Sequence, residues 1–234
     1  MLRRASKLSL VPAIPSFLDP VETPGELTHR QRKEILALAT EVSYRPRAIV
    51  YREHAPEAFV FICVSGIFKS YRDLPSGRRR VLTFRFPGDL FGLAEKGRYV
   101  NSVQACTPAV AYRIPVEQAR AKLRQDAELQ FRVLAKVTHE VREAQRRAIM
   151  LGSKSAQVRL AMFLNMLRAD LAIDSDRIPL AMSRADIASF LALTPEAVSR
   201  GTALLVKAGI IAFPTPRVVR ILLPSKIDEL TADL

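Results

Sequence analysis

Short runs of Val, Ile, Phe and Tyr occupy the chain from about Ser43 to Ile114, and turn residues separate them. The runs are RAIVYRE, AFVFICVSGIFKSYRDL, RRRVLTFRF and SVQACTPAVAYRI, and the separators include Gly66, Pro75-Ser76-Gly77 and Pro87-Gly88. β-Branched and aromatic residues favour strands, whereas Gly and Pro favour the turns between them. The pattern predicts an antiparallel barrel or sandwich, in which LPSGRRR forms a hairpin tip with solvated arginines.

A helical segment without glycine follows Pro115, and from Leu134 its apolar residues are spaced alternately by three and four. Such a heptad seam can pack on its own domain, but a narrow stripe on a helix that leaves a β-domain favours pairing with a second copy of the chain. Gly152-Ser153 predicts a hinge, and a further helix is expected from Ser155 to about Ala172. The predicted dimerisation residues are Leu134, Val137, Val141, Ala144, Ala148 and Leu151.

Two helix starts lie close together in SRADIASFLALTPEAVSRGTALLVKAG, which runs from Ser183 to Gly209. Ser183 is a good N-cap, and Asp186 completes a variant capping box in which both side chains bind free backbone amides. Thr194 is a second N-cap, with Pro195 at the first helical position, where a missing N–H does no harm. Only a short turn remains between the two helices, which is typical of a helix-turn-helix.

The second of these helices carries Glu196, Ser199 and Arg200 on one side of its first two turns. In a major groove, Arg donates two hydrogen bonds to guanine, Glu accepts one from an exocyclic amine, and Ser does either. We therefore predict that these three residues read base edges; the alternative is an ordinary helical hairpin with a solvated polar face. The predicted DNA-contacting set also contains Ser183, Arg184, Thr194 and Arg217.

The rest of this helix and the segment after it predict a winged domain. Val198 and the group Leu204-Leu205-Val206 are expected to face the core. The later stretch IIAFPTPRVVRILLP contains two β-prone pieces around Pro214-Thr215-Pro216. A helix-turn-helix followed by a β-hairpin is a winged helix. Arg217 and Arg220 are placed to contact phosphate from the wing, or alternatively to solvate a strand.

Composition limits the classes of protein to which the chain can belong. Its 234 residues are enough for two domains with separate cores, and its net charge of +13 is typical of a protein that meets nucleic acid or anionic lipid. Two cysteines without CxxC spacing favour a reducing compartment. No apolar run has the length of a membrane span. Prolines interrupt the basic N-terminal segment, so we expect a mobile cytoplasmic arm.

The order of these parts resembles the CRP/FNR family of bacterial transcription regulators, over roughly residues 20 to 230. Two positions depart from the family pattern, because Ala192 stands where glycine is usual in the turn and Gly201 stands where threonine is common. The glycine is expected to cost the helix about 1 kcal/mol. The most specific motif is MSRADIASFLALTPEAVSR, whose matching positions are Arg184, Ile187, Ala188, Leu193, Glu196, Val198, Ser199 and Arg200.

The resemblance implies an α+β fold and a homodimer that binds double-stranded DNA. The Glu-x-x-Ser-Arg form is similar to that of the FNR/FixK branch, which implies a palindrome with TTGA-type half-sites and an activator that also contacts RNA polymerase. Because the sequence has no metal-spaced His cluster, nucleophile motif or P-loop, an enzyme is not expected. The expected parts are a flexible arm (1–20), an antiparallel β-roll of the cyclic-nucleotide-binding type (21–125), a dimerisation helix (126–152) and a winged helix-turn-helix domain (153–234).

The sequence contains only part of the motifs by which members of this family bind a signalling ligand or cofactor. Cyclic-nucleotide binders resemble one another in a Gly-Glu-Leu segment followed by an Arg-Ser or Arg-Thr pair, whereas here Gly88-Asp89-Leu90 is followed by Arg98-Tyr99. An iron–sulfur cluster needs about four ligands, and two isolated cysteines cannot supply them. We therefore predict a regulator without a cofactor, controlled by its abundance or by upstream signalling. The alternative is a ligand-dependent or haem-dependent sensor, with His29, His54 or His139 as the haem ligand.

Overall fold

The computed structural model of the protein describes residues 28–153, 155–171 and 176–231. The predicted N-terminal arm, residues 1–20, lies outside the described residues. None of the helices within these ranges is both long and apolar enough to span a lipid bilayer. A β-rich domain comes first and a mainly helical C-terminal domain follows it, which confirms the predicted α+β fold.

The β-rich domain begins with helix α1 (His29–Ala37) and continues through short antiparallel strands. The strands are β1 (Thr40–Tyr44), β2 (Ile49–Tyr51), β3 (Phe59–Ser65), β4 (Phe68–Asp73), β5 (Arg79–Arg85), β6 (Leu90–Phe91), β7 (Ala94–Glu95), β8 (Arg98–Tyr99), β9 (Ser102–Ala105) and β10 (Ala109–Pro115). They form two four-stranded sheets, in the orders β1-β10-β3-β6 and β2-β9-β4-β5, and a two-stranded ribbon of β7 and β8. Residues of both larger sheets share one apolar interior.

Two helices connect this domain to the C-terminal one, α2 (Val116–Gln125) and α3 (Ala127–Gly152). The carboxylate of Asp126 begins α3 by accepting a hydrogen bond from the amide of Leu129 at 2.9 Å. Helix α3 ends at Gly152, and Ser153 has extended backbone, as the predicted break requires. The long helix predicted from the heptad pattern is thus confirmed.

The C-terminal domain combines four helices with a small sheet. Its elements are α4 (Ala156–Leu171), β11 (Arg177–Pro179), α5 (Arg184–Phe190), α6 (Pro195–Lys207), β12 (Ile211–Thr215), β13 (Val218–Ile221) and α7 (Pro224–Thr231). The predicted hairpin of β12 and β13 is present, and β11 adds a third strand that the sequence pattern did not predict. The winged helix-turn-helix is therefore confirmed.

The β-domain has a core of its own, as expected, but the core of the C-terminal domain is not separate, because it continues into the β-domain. Phe84 on β5 contacts Phe163 on α4 and Phe190 on α5, with ring centroids 6.2 and 5.3 Å away. Three further buried residues of the β-domain, Ile67, Val81 and Phe86, belong to the same apolar cluster as α4, α5 and α6. The helix-turn-helix therefore packs directly on the sheet that contains β4 and β5.

Candidate nucleic-acid interface

Helix α5 begins at Ser183, whose hydroxyl oxygen accepts a hydrogen bond from the amide of Asp186 at 3.0 Å. The predicted N-cap is confirmed. The reciprocal part of the predicted capping box is wrong, because Asp186 accepts the Ser183 hydroxyl proton at 2.8 Å instead of a backbone amide. Its other carboxylate oxygen lies 2.5 Å from Nζ of Lys69 on β4. An ion pair with the β-domain therefore takes the place of the reciprocal half of the capping box.

The turn between α5 and α6 contains a strained residue. Ala192 has a φ of 52°, in the left-handed region that glycine adopts at little cost. The amide of Leu193 donates to the carbonyl of Ala188 at 2.9 Å, which closes the turn. Nη1 of Arg159 on α4 donates to the carbonyl of Leu191 at 2.9 Å. The departure noted at Ala192 thus falls at a position whose backbone conformation favours glycine. Arg159, which sequence reasoning missed, holds the turn to α4.

Helix α6 begins with the predicted cap, since the hydroxyl of Thr194 accepts from the amide of Ala197 at 3.2 Å and Pro195 is the first helical residue. Gly201 lies where α6 crosses α4. A Cβ atom at this position would be 2.6 Å from Cδ1 of Leu160. The glycine that departs from the family pattern therefore allows close contact between the two helices.

The apolar face of α6 is narrower than predicted. Val198 and Leu205 are 3% and 0% exposed, as expected of core residues. The predicted burial of Leu204 and Val206 is wrong, because they are 53% and 43% exposed. Three consecutive residues cannot face one side of a helix that has 3.6 residues per turn.

The three predicted base-reading residues, Glu196, Ser199 and Arg200, are all exposed on the leading turns of α6. Nη1 of Arg184 on α5 lies 3.4 Å from the hydroxyl of Ser199, so predicted contact residues from both helices meet. Hydrogen bonds from its own amide and with the Thr194 side chain lower the pKa of Glu196. This surface presents an ionised acceptor and a guanidinium donor, which are the groups that recognise base edges.

The wing carries two arginines in different situations. Arg217 is exposed in the turn between β12 and β13. Arg220, on β13, donates from Nε to Asp176 at 2.6 Å. The sequence left two interpretations open for these arginines. Arg220 is a strand residue that is already paired, whereas Arg217 lies where a phosphate contact is expected.

Polar groups of α5 bind the hairpin of β4 and β5. The hydroxyl of Ser189 accepts from the amide of Val81 at 2.9 Å and donates to the carbonyl of Arg79 at 2.8 Å. Arg80 donates to the carbonyl of Ser189 at 3.1 Å, and the side chain of Arg79 pairs with Asp73 at 2.8 Å. The prediction of solvated hairpin arginines is therefore confirmed for Arg78 and Arg79, which are exposed, and wrong for Arg80, which is half-buried.

Comparison with known proteins covers both domains. Residues 41–126 match the cyclic nucleotide-binding domain family, and residues 158–230 match the Crp-like helix-turn-helix domain family. The transcriptional activatory protein AadR of Rhodopseudomonas palustris is 33% identical over 214 residues, which are 89% of this chain and 88% of AadR. The nitrogen fixation regulation protein FixK of Azorhizobium caulinodans is 32% identical over 196 residues, 80% of this chain and 77% of FixK.

A solved structure extends the likeness to three dimensions. FixK2 from Bradyrhizobium japonicum superposes with a TM-score of 0.79 at 31% identity, over 82% of this chain and 97% of that chain. The chain belongs to the CRP/FNR family, in its FixK-like branch. This CRP/FNR protein is accordingly a DNA-binding transcription regulator, and the exposed residues of α6 lie in the part of it that matches the DNA-binding family.

Aromatic rings fill the β-domain of this CRP/FNR protein near the segment that would hold a cyclic phosphate. Tyr99 stacks on Tyr51 with ring centroids 3.9 Å apart. Its hydroxyl accepts from the amide of Phe59 at 3.1 Å and donates to the carbonyl of the same residue at 2.8 Å. Burial raises the pKa of Asp89, which accepts from the amide of Phe86. The ring and the hydroxyl of Tyr99 are therefore both held inside the β-domain.

Burial disfavours the thiolate form of both cysteines. Burial raises the pKa of Cys106 to about 12 and also raises that of Cys63. Metal ligation and nucleophilic reactions need the thiolate, which burial disfavours. Within the described part of the chain, His, Cys, Asp and Glu side chains form no group of three that could hold a metal ion.

Proposed function

We propose that this regulator is a homodimeric activator that binds a palindrome with TTGA-type half-sites and needs neither a cyclic nucleotide nor an iron–sulfur cluster. The observation that carries the proposal is the exposure of Glu196, Ser199 and Arg200 on a helix whose start and core contacts are fixed. A twofold dimer presents this surface twice, which matches a palindrome. The other proposed DNA contacts are Ser183, Arg184, Thr194 and Arg217.

Helix α3 supports the dimer. Leu134 and Val141 are 60% and 52% exposed, and Phe131, which sequence reasoning missed, is 61% exposed one turn earlier. A stripe of large exposed apolar residues is costly in water, and a second copy of the same helix would cover it. Leu151 differs, because it packs partly against the core of its own C-terminal domain. The remaining proposed dimer residues are Val137, which is half-buried, and Ala144 and Ala148, which are exposed.

A DNA titration tests recognition and ligand independence together. Protein purified in air and dialysed extensively is titrated against a duplex with a TTGA-type palindrome and against the same duplex scrambled. We expect a dissociation constant in the nanomolar range for the palindrome at moderate salt, the usual scale for specific complexes. Binding that emerges only after a cyclic nucleotide is added would contradict the proposal.

Sedimentation tests the dimer. Leu134→Asp combined with Val141→Asp places two charges on each copy of the proposed seam and should give monomers at micromolar concentration. Both residues are more than half exposed, so the monomer should keep its fold. Arg142→Asp is the control, because Arg142 is exposed on the same helix but off the heptad positions. A double variant that stays dimeric would show that the interface lies elsewhere.

Activation is tested by transcription in a purified system. We propose that the dimer contacts RNA polymerase when bound upstream of a promoter, and the name of the relative AadR, an activatory protein, supports this. Adding the protein to polymerase and a template with the palindrome should increase the transcript. The scrambled template should show no increase, and a decrease from the palindromic template would identify a repressor.

A further inference from the structure

A cavity of about 650 Å³ lies between the two domains, where the end of β5 meets α3 and α4. This volume is within the range of small-molecule sites. One part of its wall is apolar and comes from both domains. The apolar residues are Phe84, Phe86, Ile149, Met150, Met162 and Met166.

The other part of the wall is charged, because four arginines and the carboxylates of Asp89, Glu140 and Glu143 line the cavity. Three of the arginines have carboxylate partners, in the pairs Arg85–Glu140, Arg146–Glu143 and Arg168–Asp228. Arg147 forms no ion pair within the described residues. It lies on α3 between the predicted seam residues Ala144 and Ala148 in sequence, off the seam itself but at a flanking g position.

Arg147 is half-buried, and its Nη1 is shielded from solvent without a hydrogen-bond partner among the described residues. Nε of Arg85 is in the same situation. Burial, and then the positive charge of Arg85, lower the pKa of Arg147, whereas the negative charges of Glu140 and Glu143 act in the opposite direction. Its guanidinium carbon lies 5.6 Å from the ring centroid of Phe190. An unpaired buried donor calls for a partner.

We propose that this interdomain cavity binds a small organic oxyanion whose carboxylate or phosphate group is held by the guanidinium groups of Arg147 and Arg85. A guanidinium offers parallel donors that match both groups. The side-chain amide of Asn165 on α4 lines the same cavity and supplies a further donor. The Met and Phe side chains surround the apolar body of the ligand. Because its walls come from both domains, the bound anion holds α4 against β5 and α3.

Thermal unfolding of the full chain tests the site with three probes that share one body: 4-phenylbutyrate, 4-phenylbutyl phosphate and the neutral 4-phenylbutanol. At about one hundred times its dissociation constant, an anionic probe should raise the melting temperature by about 5 to 10 °C. The alcohol should leave it nearly unchanged. The measurement uses no DNA, so its result is independent of the proposed function.

Two substitutions locate the site. Arg147→Met removes the unpaired charge while keeping most of the volume, so it should fold and should lose the rise caused by the anions. Arg142→Met, on the exposed side of α3, should keep that rise. Arg147→Lys retains the charge but loses the parallel donors, and should raise the dissociation constant of the anion about tenfold. A rise that persists in Arg147→Met, a rise with the alcohol, or no rise with either anion would each overturn the proposal.

Discussion

The two helices of the helix-turn-helix begin in the same way and have different surroundings. Each starts with a hydroxyl cap, Ser183 in α5 and Thr194 in α6. The polar residues of α5 then bind the β-domain, Asp186 through Lys69 and Ser189 through backbone groups of the β4–β5 hairpin. The leading residues of α6 contact no such partner and remain exposed. The two helices therefore begin with similar local sequences, but their tertiary contacts give them different roles.

This difference separates two requirements of a DNA-reading helix. Its position must be fixed, and its reading side chains must stay available. The packing of α5 on the sheet, the hydrogen bond of Arg159 to the turn and the close contact at Gly201 fix the position of α6. None of these contacts uses Glu196 or Arg200. Substitutions at the α5 contacts should therefore change stability, and substitutions on the exposed face of α6 should change DNA recognition.

The largest effect is expected at Arg200. An arginine that donates two hydrogen bonds to guanine contributes roughly 1 to 3 kcal/mol of discrimination, and a symmetric dimer loses it twice. Arg200→Ala should weaken binding to the palindrome by about 2 to 6 kcal/mol and leave binding to scrambled DNA little changed. Titrations of both duplexes measure the ratio, and urea unfolding should show unchanged stability.

Lys207→Ala is the matched control for Arg200, because Lys207 is an exposed cation at the other end of α6. It should leave the ratio of the two affinities unchanged. If Arg200→Ala also keeps the wild-type ratio, Glu196, Ser199 and Arg200 do not form the reading surface, and the exposed face of α6 has another role.

The next largest effect is expected at Lys69, on the face of the helix pair that contacts the sheet. The side chains of Lys69 and Asp186 are only 11% and 17% exposed, so Lys69→Met leaves a largely buried carboxylate without its cation. Removing one partner of a buried pair costs about 3 kcal/mol, which should lower the free energy of unfolding measured in urea. The specificity ratio for DNA should stay at its wild-type value.

Asp73 provides the comparison on the same strand. It pairs with Arg79 at 2.8 Å, and the two side chains are 58% and 40% exposed. Solvent screens such a pair, so Asp73→Asn should cost less than about 1 kcal/mol. Equal losses in the two variants would mean that the contact between Lys69 and Asp186 does not stabilise the docked helix pair.

The sequence predicted the caps of both helices and missed the contact that distinguishes them. Ser183 and Thr194 act on amides three residues away, so local residue types suffice to identify them. Lys69 and Asp186 are 117 residues apart, and spacing along the chain does not indicate such a pair. Lys69 does not stand out in the sequence either, because its strand also contains Ser70, Arg72 and Asp73. Likewise, Arg146 and Arg147 are adjacent in sequence, and only the packing of α3 shows that one is paired and the other is not.

A smaller effect, in the stabilising direction, is expected at the turn that joins the two helices. Ala192 has left-handed backbone, which is strained for any residue with a Cβ atom. Ala192→Gly should remove this strain and, after the greater freedom of glycine in the unfolded chain is subtracted, raise the free energy of unfolding by about 0.5 to 1 kcal/mol. Ala185→Gly, inside α5, should lower it by about the same amount. If Ala192→Gly and Ala185→Gly both lower the free energy of unfolding, the turn is not strained at Ala192.

The smallest effect is expected in the wing, where Arg217 tests a contact that positions the protein without reading sequence. Arg217 is exposed in the turn, so Arg217→Ala should leave the fold unchanged. A phosphate contact releases about one counter-ion, so the slope of log affinity against log salt should fall by about one per subunit. Binding to the palindrome and to scrambled DNA should weaken alike, in contrast to Arg200→Ala.

Arg220→Ala is the control and should leave the salt slope unchanged, because Arg220 is already paired with Asp176. If Arg217→Ala changes the specificity ratio rather than the salt slope, the wing reads bases, and the exposed face of α6 is not the whole reading surface.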